Sequence, residues 1–232
     1  VAIAAGFAFV ADGTGGLQVV NYRAFDTRGV APTVGATTSL IDVDPIKPGL
    51  QVQEGGRVVV TPTVTDDVQV RNVELLVGGK VVRNDLSFPF DLTGALPTIA
   101  ANGGTNVTLQ VRATDTGGNF GLSAPIEVEL VPDTFGPLLL GNSLKDGATV
   151  GRSFRAATLD FSESIDPLTL GASAIQIVDA DGTAVNPDNL QFRLDGRQLH
   201  ATFAPLAVGA YTLRIDTAQV KDRAGNAVGA AL

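Results

Sequence analysis

The sequence predicts an all-β chain of tandem β-sandwiches, on three observations. Period-two alternation of apolar and polar residues is the dominant pattern, Gly-Gly and Asp-Gly pairs separate the alternating runs, and no long window carries a 3.6-residue apolar period. In residues 107–114 (VTLQVRAT), Val107, Leu109, Val111 and Ala113 share one parity, and Thr108, Gln110, Arg112 and Thr114 the other. Ile126, Val128 and Leu130 alternate with Glu127 and Glu129. Leu190, Phe192 and Leu194 alternate with Gln191, Arg193 and Asp195, and Tyr211, Leu213 and Ile215 with Thr212, Arg214 and Asp216. Each run reads as an antiparallel strand with one face in the core and one in water.

In chain order, residues 1–30 hold one hairpin, AFVAD–GTGG–LQVVNY, and residues 31–50, with Pro32, Pro45 and Pro48, read as an irregular linker. Residues 1–10 (VAIAAGFAFV) are as apolar as a signal-peptide core but lack a basic leading region, so they read as strand. Residues 51–132 hold about seven short strands, the number a sandwich of this length needs. Gly78-Gly79 turns VELLV into KVV, Asp195-Gly196 turns LQFRL into RQLHATF, and Asp181-Gly182 follows IQIVDA. Such pairs supply the positive φ of tight hairpins. Pro132-Asp133-Thr134-Phe135-Gly136-Pro137 is a second junction, and residues 133–232 form the second strand set. Asp166-Pro167-Leu168-Thr169 is the one helical hint, with Asp166 as cap and Pro167 at the first helical position.

Composition narrows the function classes. The 232 residues include 27 Gly and 12 Pro, no Cys, no Met, no Trp and one His, with a formal net charge of -8. Without Cys there is no disulfide framework and no thiolate chemistry. An acidic chain repels phosphate backbones and anionic lipid, which argues against nucleic-acid partners. No apolar stretch reaches the roughly 18 residues of a membrane span.

A phrase repeats between the two strand sets. Asp115-Thr116-Gly117-Gly118-Asn119 and Asp222-Arg223-Ala224-Gly225-Asn226 both give D-x-x-G-N directly after an alternating strand. Only six residues, AVGAAL, follow the second copy, which suggests a sandwich short of its last strand.

With residues 159–167 (LDFSESIDP), Phe203-Ala204-Pro205-Leu206, Gly209-Ala210-Tyr211-Thr212-Leu213 and the closing Asp222…Gly225-Asn226, residues 138–232 resemble a bacterial Ig-like domain of the SbsA type. Residues 51–132 look like another bacterial Ig-like domain, on residues 66–75 (DDVQVRNVEL) and 113–119 (ATDTGGN). Residues 6–22 (GFAFVADGTGGLQVVNY) resemble one LVIVD-type repeat, a propeller-like motif. The resemblances imply tandem immunoglobulin-like β-sandwiches after the last hairpin of a propeller whose earlier blades would precede Val1.

The case for catalysis is thin. His200 lies opposite in parity to Leu199, Ala201 and Phe203 and so points to solvent beside Gln198 and Thr202. No G-x-S-x-G or Cys-His pattern supports a nucleophile. Paired glycosidase carboxylates would need a sugar cleft, whereas the acids here sit in turns and on wet faces. Sugar platforms favour exposed Trp or Tyr, and the chain has only Tyr22 and Tyr211. Gly13-Thr14-Gly15-Gly16 and Gly117-Gly118 open no helix that would hold a phosphate.

Calcium is the one ligand carried forward. Glu54, Asp66, Asp67, Asp115 and Asp133 lie near strand ends and a junction, where loop oxygens from one pole could meet around Ca²⁺, as in cadherin-like sandwiches. The competing reading makes Asp115 and Asp222 caps of their turns, with Asn119 and Asn226 in left-handed conformations.

These expectations describe a non-catalytic, secreted, cell-surface segment of a larger bacterial protein: a spacer, stalk, S-layer or filament component. Its partners would be neighbouring domains of the same polypeptide or like subunits. An open edge of the last sandwich would invite strand exchange, with residues 1–10 as a donor, unless flanking residues complete it. The alternative is an accessory ligand- or carbohydrate-binding module of a secreted enzyme.

Overall fold

The computed structural model describes residues 1–4, 7–21, 25–151 and 154–229. Gly6 and Tyr22 of the hairpin stretch, and residues 230–232 of the short tail, lie outside them. The fold is all-β, built as tandem immunoglobulin-like sandwiches. Two compact units divide it: residues Val1–Val52 with Val58–Leu130, and Gln53–Arg57 with Val131–Leu232.

The first unit begins with a three-stranded sheet of β1 (Ala2–Ala4), β2 (Phe7–Ala11) and β3 (Leu17–Asn21), in that order. The expected hairpin is present, with Phe9 opposite Val19. Residues 1–10 make two strands rather than one: Ile3 pairs with Ala8, so this apolar run is already paired within its own sheet.

Residues 31–50, expected as an irregular linker, contribute β4 (Thr33–Thr38), which pairs with β6 (Arg57–Thr65) and places Val34 opposite Val64. Val34 and Ala36 alternate inward with Thr33, Gly35 and Thr37 outward, a period-two pattern in residues too small to stand out beside Pro32. After β5 (Gln51–Gln53) and β6 come β7 (Val70–Val77), β8 (Lys80–Asp85) and β9 (Leu92–Ala95). A one-turn helix α1 (Ile99–Asn102) follows, capped by the Thr98 hydroxyl, which accepts from Ala101 N at 3.1 Å. The unit ends with β10 (Asn106–Asp115), β11 (Phe120–Leu122) and β12 (Ile126–Val131).

One layer runs β4-β6-β9 and the other β5-β12-β10-β7-β8. Strands β11 and β12 pair with successive parts of β10, interrupted at 123–125, where Pro125 has no N–H to give. Ser123 bridges the gap: its hydroxyl accepts from Val111 N at 3.0 Å while its own N–H reaches Val111 O at 2.9 Å. Val58, Val60 and Leu92 from one layer pack with Val73, Leu75, Leu109 and Val111 from the other, all nearly fully buried. Burial of each such side chain is worth roughly 1.5–3 kcal/mol, so the alternation itself drives the layers together.

The second unit repeats the plan. Strands β13 (Leu139–Asn142), β14 (Ala156–Phe161), β17 (Asn189–Arg193) and β18 (Gln198–Thr202) form a sheet ordered β13-β14-β18-β17. Strands β15 (Ile175–Asp179), β16 (Ala184–Val185) and β19 (Tyr211–Ile215) form the other, ordered β16-β15-β19. Leu159, Ile165, Ile175, Leu199 and Phe203 fill the core. Asp166 caps the 3-10 turn Pro167–Thr169 by accepting from Leu168 N at 3.0 Å, as its spacing predicts.

The hairpin turns follow their chemistry. Gly78 and Gly79 take φ of 56° and 75° between Val77 and its partner Lys80. Asp195 and Gly196 take φ of 56° and 88° within the 3-10 turn Leu194–Gly196, and Arg193 pairs with Gln198 across the four residues between them. Leu194 departs from its expected inward parity: the turn draws it to φ 50° and leaves it 62 % exposed.

Candidate cation sites

The D-x-x-G-N phrase builds the same loop twice. In the first unit Asn119 donates its backbone N–H to Asp115 Oδ1 at 2.8 Å and its side-chain amide to Oδ2 at 2.8 Å. Asp115 N in turn donates to Asn119 O at 3.0 Å. In the second unit Asn226 makes the same two bonds to Asp222, both 2.9 Å, and Asp222 N reaches Asn226 O at 3.0 Å. The left-handed residue is not the asparagine, as expected, but the glycine before it: Gly118 at φ 92° and Gly225 at φ 94°. The glycine absorbs the sharp turn, which frees the asparagine amide to fold back on the carboxylate.

Asp115 is fully buried. Burial pushes its carboxyl up; hydrogen bonds from the Asn119 side chain and from the backbone of Asn119, Gly118 and Gly117 outweigh that and hold it below the ordinary aspartate value. Both carboxylate oxygens are thereby engaged, and the capping reading holds for this residue.

In each unit the loop also grips the segment that leads into the sandwich. Thr116 Oγ1 accepts from Asp26 N at 3.1 Å, and a Cβ on Gly117 would lie 2.7 Å from Asp26 O. A Cβ on Gly121 would lie 1.9 Å from Pro32 O. In the second unit the Asn226 amide donates to Asp133 O at 3.0 Å and Phe135 O at 3.2 Å, and a Cβ on Gly136 would lie 2.0 Å from Ala227 O.

In each unit an acidic residue of the lead-in segment meets two further acids. In the first unit, carboxylate oxygens of Asp26, Asp66 and Asp67 lie within 4.8 Å of one another. In the second, Asp133, Glu163 and Asp222 do the same. A shallow cavity of about 230 Å³ there is lined by Glu54, Arg57, Asp133, Glu163, Arg197 and Asp222 among others. Desolvation, with the charges of Asp133 and Asp222, pushes Glu163 up to about 7. Asp133 is also raised, by burial first and by Asp222 and Glu54 after the opposing hydrogen bond from Phe135 N.

The five acids expected at one pole thus part company. Asp66 and Asp67 meet Asp26 in the first unit, where Asp115 is consumed by its own turn. Glu54 and Asp133 belong to the second unit, where Glu54 Oε1 accepts from Asp133 N at 3.4 Å. Asp26, Glu163 and Asp222 are members that the expected set lacked. Asp26 carried no signal in a segment assigned to the hairpin, whereas Asp222 stood in the repeated phrase and Glu163 in the stretch 159–167 that carries the family resemblance.

His200 is half-buried, with Nδ1 2.9 Å from Thr158 Oγ1 on the neighbouring strand rather than against an acid. Tyr211, also half-buried, donates its hydroxyl to Ala207 O at 3.0 Å.

Residues 47–104 match the family model described as a bacterial Ig domain, and residues 139–222 the one described as a CopC domain, which is Ig-like. Neither match reaches residues 6–22. No curated protein matches the chain. Among solved structures, the fibronectin(III)-like modules of CbhA from Clostridium thermocellum are 21% identical, over 43% of this chain and 98% of that one, with a TM-score of 0.31. SGBP-B of the Bacteroides ovatus mixed-linkage glucan utilization locus, solved with a mixed-linkage heptasaccharide, is 14% identical over 87% of this chain and 46% of that one, with a TM-score of 0.29. Extracellular domains 3–5 of Drosophila OTK are 14% identical over 85% and 64%, with a TM-score of 0.28. Bacterial Ig-like and CopC domains are typically extracellular or periplasmic, and Ig-like domains are typically non-catalytic. No helix among the described residues is long and apolar enough to cross a membrane.

Proposed function

We propose that the chain is a non-catalytic spacer or adhesive segment of a larger bacterial surface protein. The observation that carries this reading is the repeated clamp: each sandwich uses its own D-x-x-G-N loop to hold the segment that leads into it. A domain that secures its own lead-in can be strung in tandem without depending on its neighbour's core, which is what a spacer requires. Within this reading residues 1–30 end an LVIVD-type propeller region, and residues 51–132 and 133–232 are Ig-like domains, the second of SbsA type. Its partners are adjoining domains or like subunits in an S-layer or filament, and strand exchange at the C-terminal domain's edge is one route to the latter.

The test is surface labelling. Antibody raised against this segment is expected to stain intact cells of the source bacterium. Staining only after the envelope is permeabilised contradicts the reading. Retention of the purified chain on insoluble polysaccharide would move the assignment to an accessory binding module.

A further inference from the structure

We propose that the first unit holds a calcium ion between Asp26, Asp66 and Asp67. Three carboxylates within 4.8 Å repel one another, and the only cationic side chain bonded to them among the described residues is Arg28, whose Nη1 meets Asp67 Oδ2 at 3.1 Å. Arg28 is itself mostly exposed, so it offsets one charge weakly and leaves about two uncompensated on Asp26 and Asp66.

A second observation points to a ligand. Asp26 is 2 % exposed, and while its Oδ1 accepts from Arg28 N at 2.7 Å, its Oδ2 is buried with no donor among the described residues. Asp66 repeats the arrangement: Oδ2 accepts from Val68 N at 3.2 Å and Oδ1 is buried with no donor among the described residues. The side-chain oxygen of Gln69, a residue 6 % exposed, is likewise buried and unpaired. Gln69 is tied to the same knot, since its carbonyl accepts from Thr116 N at 3.1 Å and the Thr116 hydroxyl holds Asp26 N. Buried carboxylate oxygens without donors are costly and uncommon, and a cation removes the cost directly.

The donors are oxygens only, with no nitrogen or sulfur, which selects a hard cation. They come from two irregular segments, a geometry Ca²⁺ tolerates and Mg²⁺, with its strict octahedron and retained waters, does not. The second cluster has no buried oxygen of this kind among its members and serves as the internal control. The inference does not depend on where the protein resides, so surface labelling and calcium binding fail separately.

The experiment titrates the 232-residue chain, stripped with EDTA, with CaCl2 and with MgCl2 by calorimetry and thermal unfolding. We expect one calcium per chain, with a Kd on the order of 0.1–1 mM as in extracellular modules. At 10 mM calcium the first unit's melting temperature rises by roughly 5–10 °C. Asp26→Asn abolishes both signals, Asp67→Asn weakens binding about tenfold or more, and Asp133→Asn leaves them intact. Asp67 is exposed, so its variant decides the matter if Asp26→Asn does not fold. No heat and no melting shift up to 10 mM, equal response to magnesium, or binding that survives both variants overturns the proposal.

Discussion

Asn119 closes on both carboxylate oxygens of Asp115, with its backbone N–H at 2.8 Å and its side-chain amide at 2.8 Å, and Asn226 closes on Asp222 in the same way. A five-residue phrase therefore folds into one loop in two sandwiches, and each copy holds the chain that leads into its own domain. That relationship makes the loop a structural keystone rather than a surface turn.

Removing the keystone should be expensive. Asp115→Ala strips a buried acceptor from at least two donors, and each orphaned group costs about 1–3 kcal/mol. The first unit should lose roughly 3 kcal/mol, read as a shifted urea midpoint. Asn119→Ala should cost less, since a backbone N–H still reaches the carboxylate.

The clamp itself can be broken sterically. At Gly121 and Gly136 an added methyl would sit 1.9 Å and 2.0 Å from backbone oxygens of the Pro32 and Ala227 peptides, which have no flexible end to move. Gly121→Ala and Gly136→Ala should each destabilise their own unit by about 3 kcal/mol or more. Gly104→Ala, with nothing within 4 Å, should be close to neutral. Equal midpoints for all three in denaturant titrations would refute the clamp.

The two units should respond oppositely to pH. Asp115 is held low in the folded state, so its contribution is present above the unfolded aspartate value and is lost as acid drops the pH through the lowered folded one. Glu163 is raised to about 7, so the folded protein binds its proton more tightly than the unfolded chain. Its contribution is therefore complete below about 4.5 and disappears as pH rises through 7. Thermal melts between pH 5 and 8 should show the second unit weakening with rising pH, and Glu163→Gln should flatten that slope.

The strands were legible because burial on one face writes itself into the sequence: Val107, Leu109, Val111 and Ala113 are all buried, as their parity requires. The turns were legible because positive φ demands glycine, as at Gly78 and Gly79. Strand β4 was not, because Gly35 and Ala36 carry too little apolar contrast to register. Helix α1 is one turn long, shorter than any 3.6-residue period can reveal. The candidate site was half legible. Asp66 and Asp67 stood out at a strand end, but their meeting with Asp26 is made through space by the Thr116 clamp, and no spacing encodes it.

Stretching a single molecule between its termini tests the central claim of two separately closed sandwiches most directly. The structure predicts two rupture events, each releasing on the order of 30 nm of chain, as about 100 residues extended at 3.3–3.6 Å would give. Asp222→Ala should weaken one event and spare the other. Extension without any force peak, or one event releasing the whole chain, would contradict it.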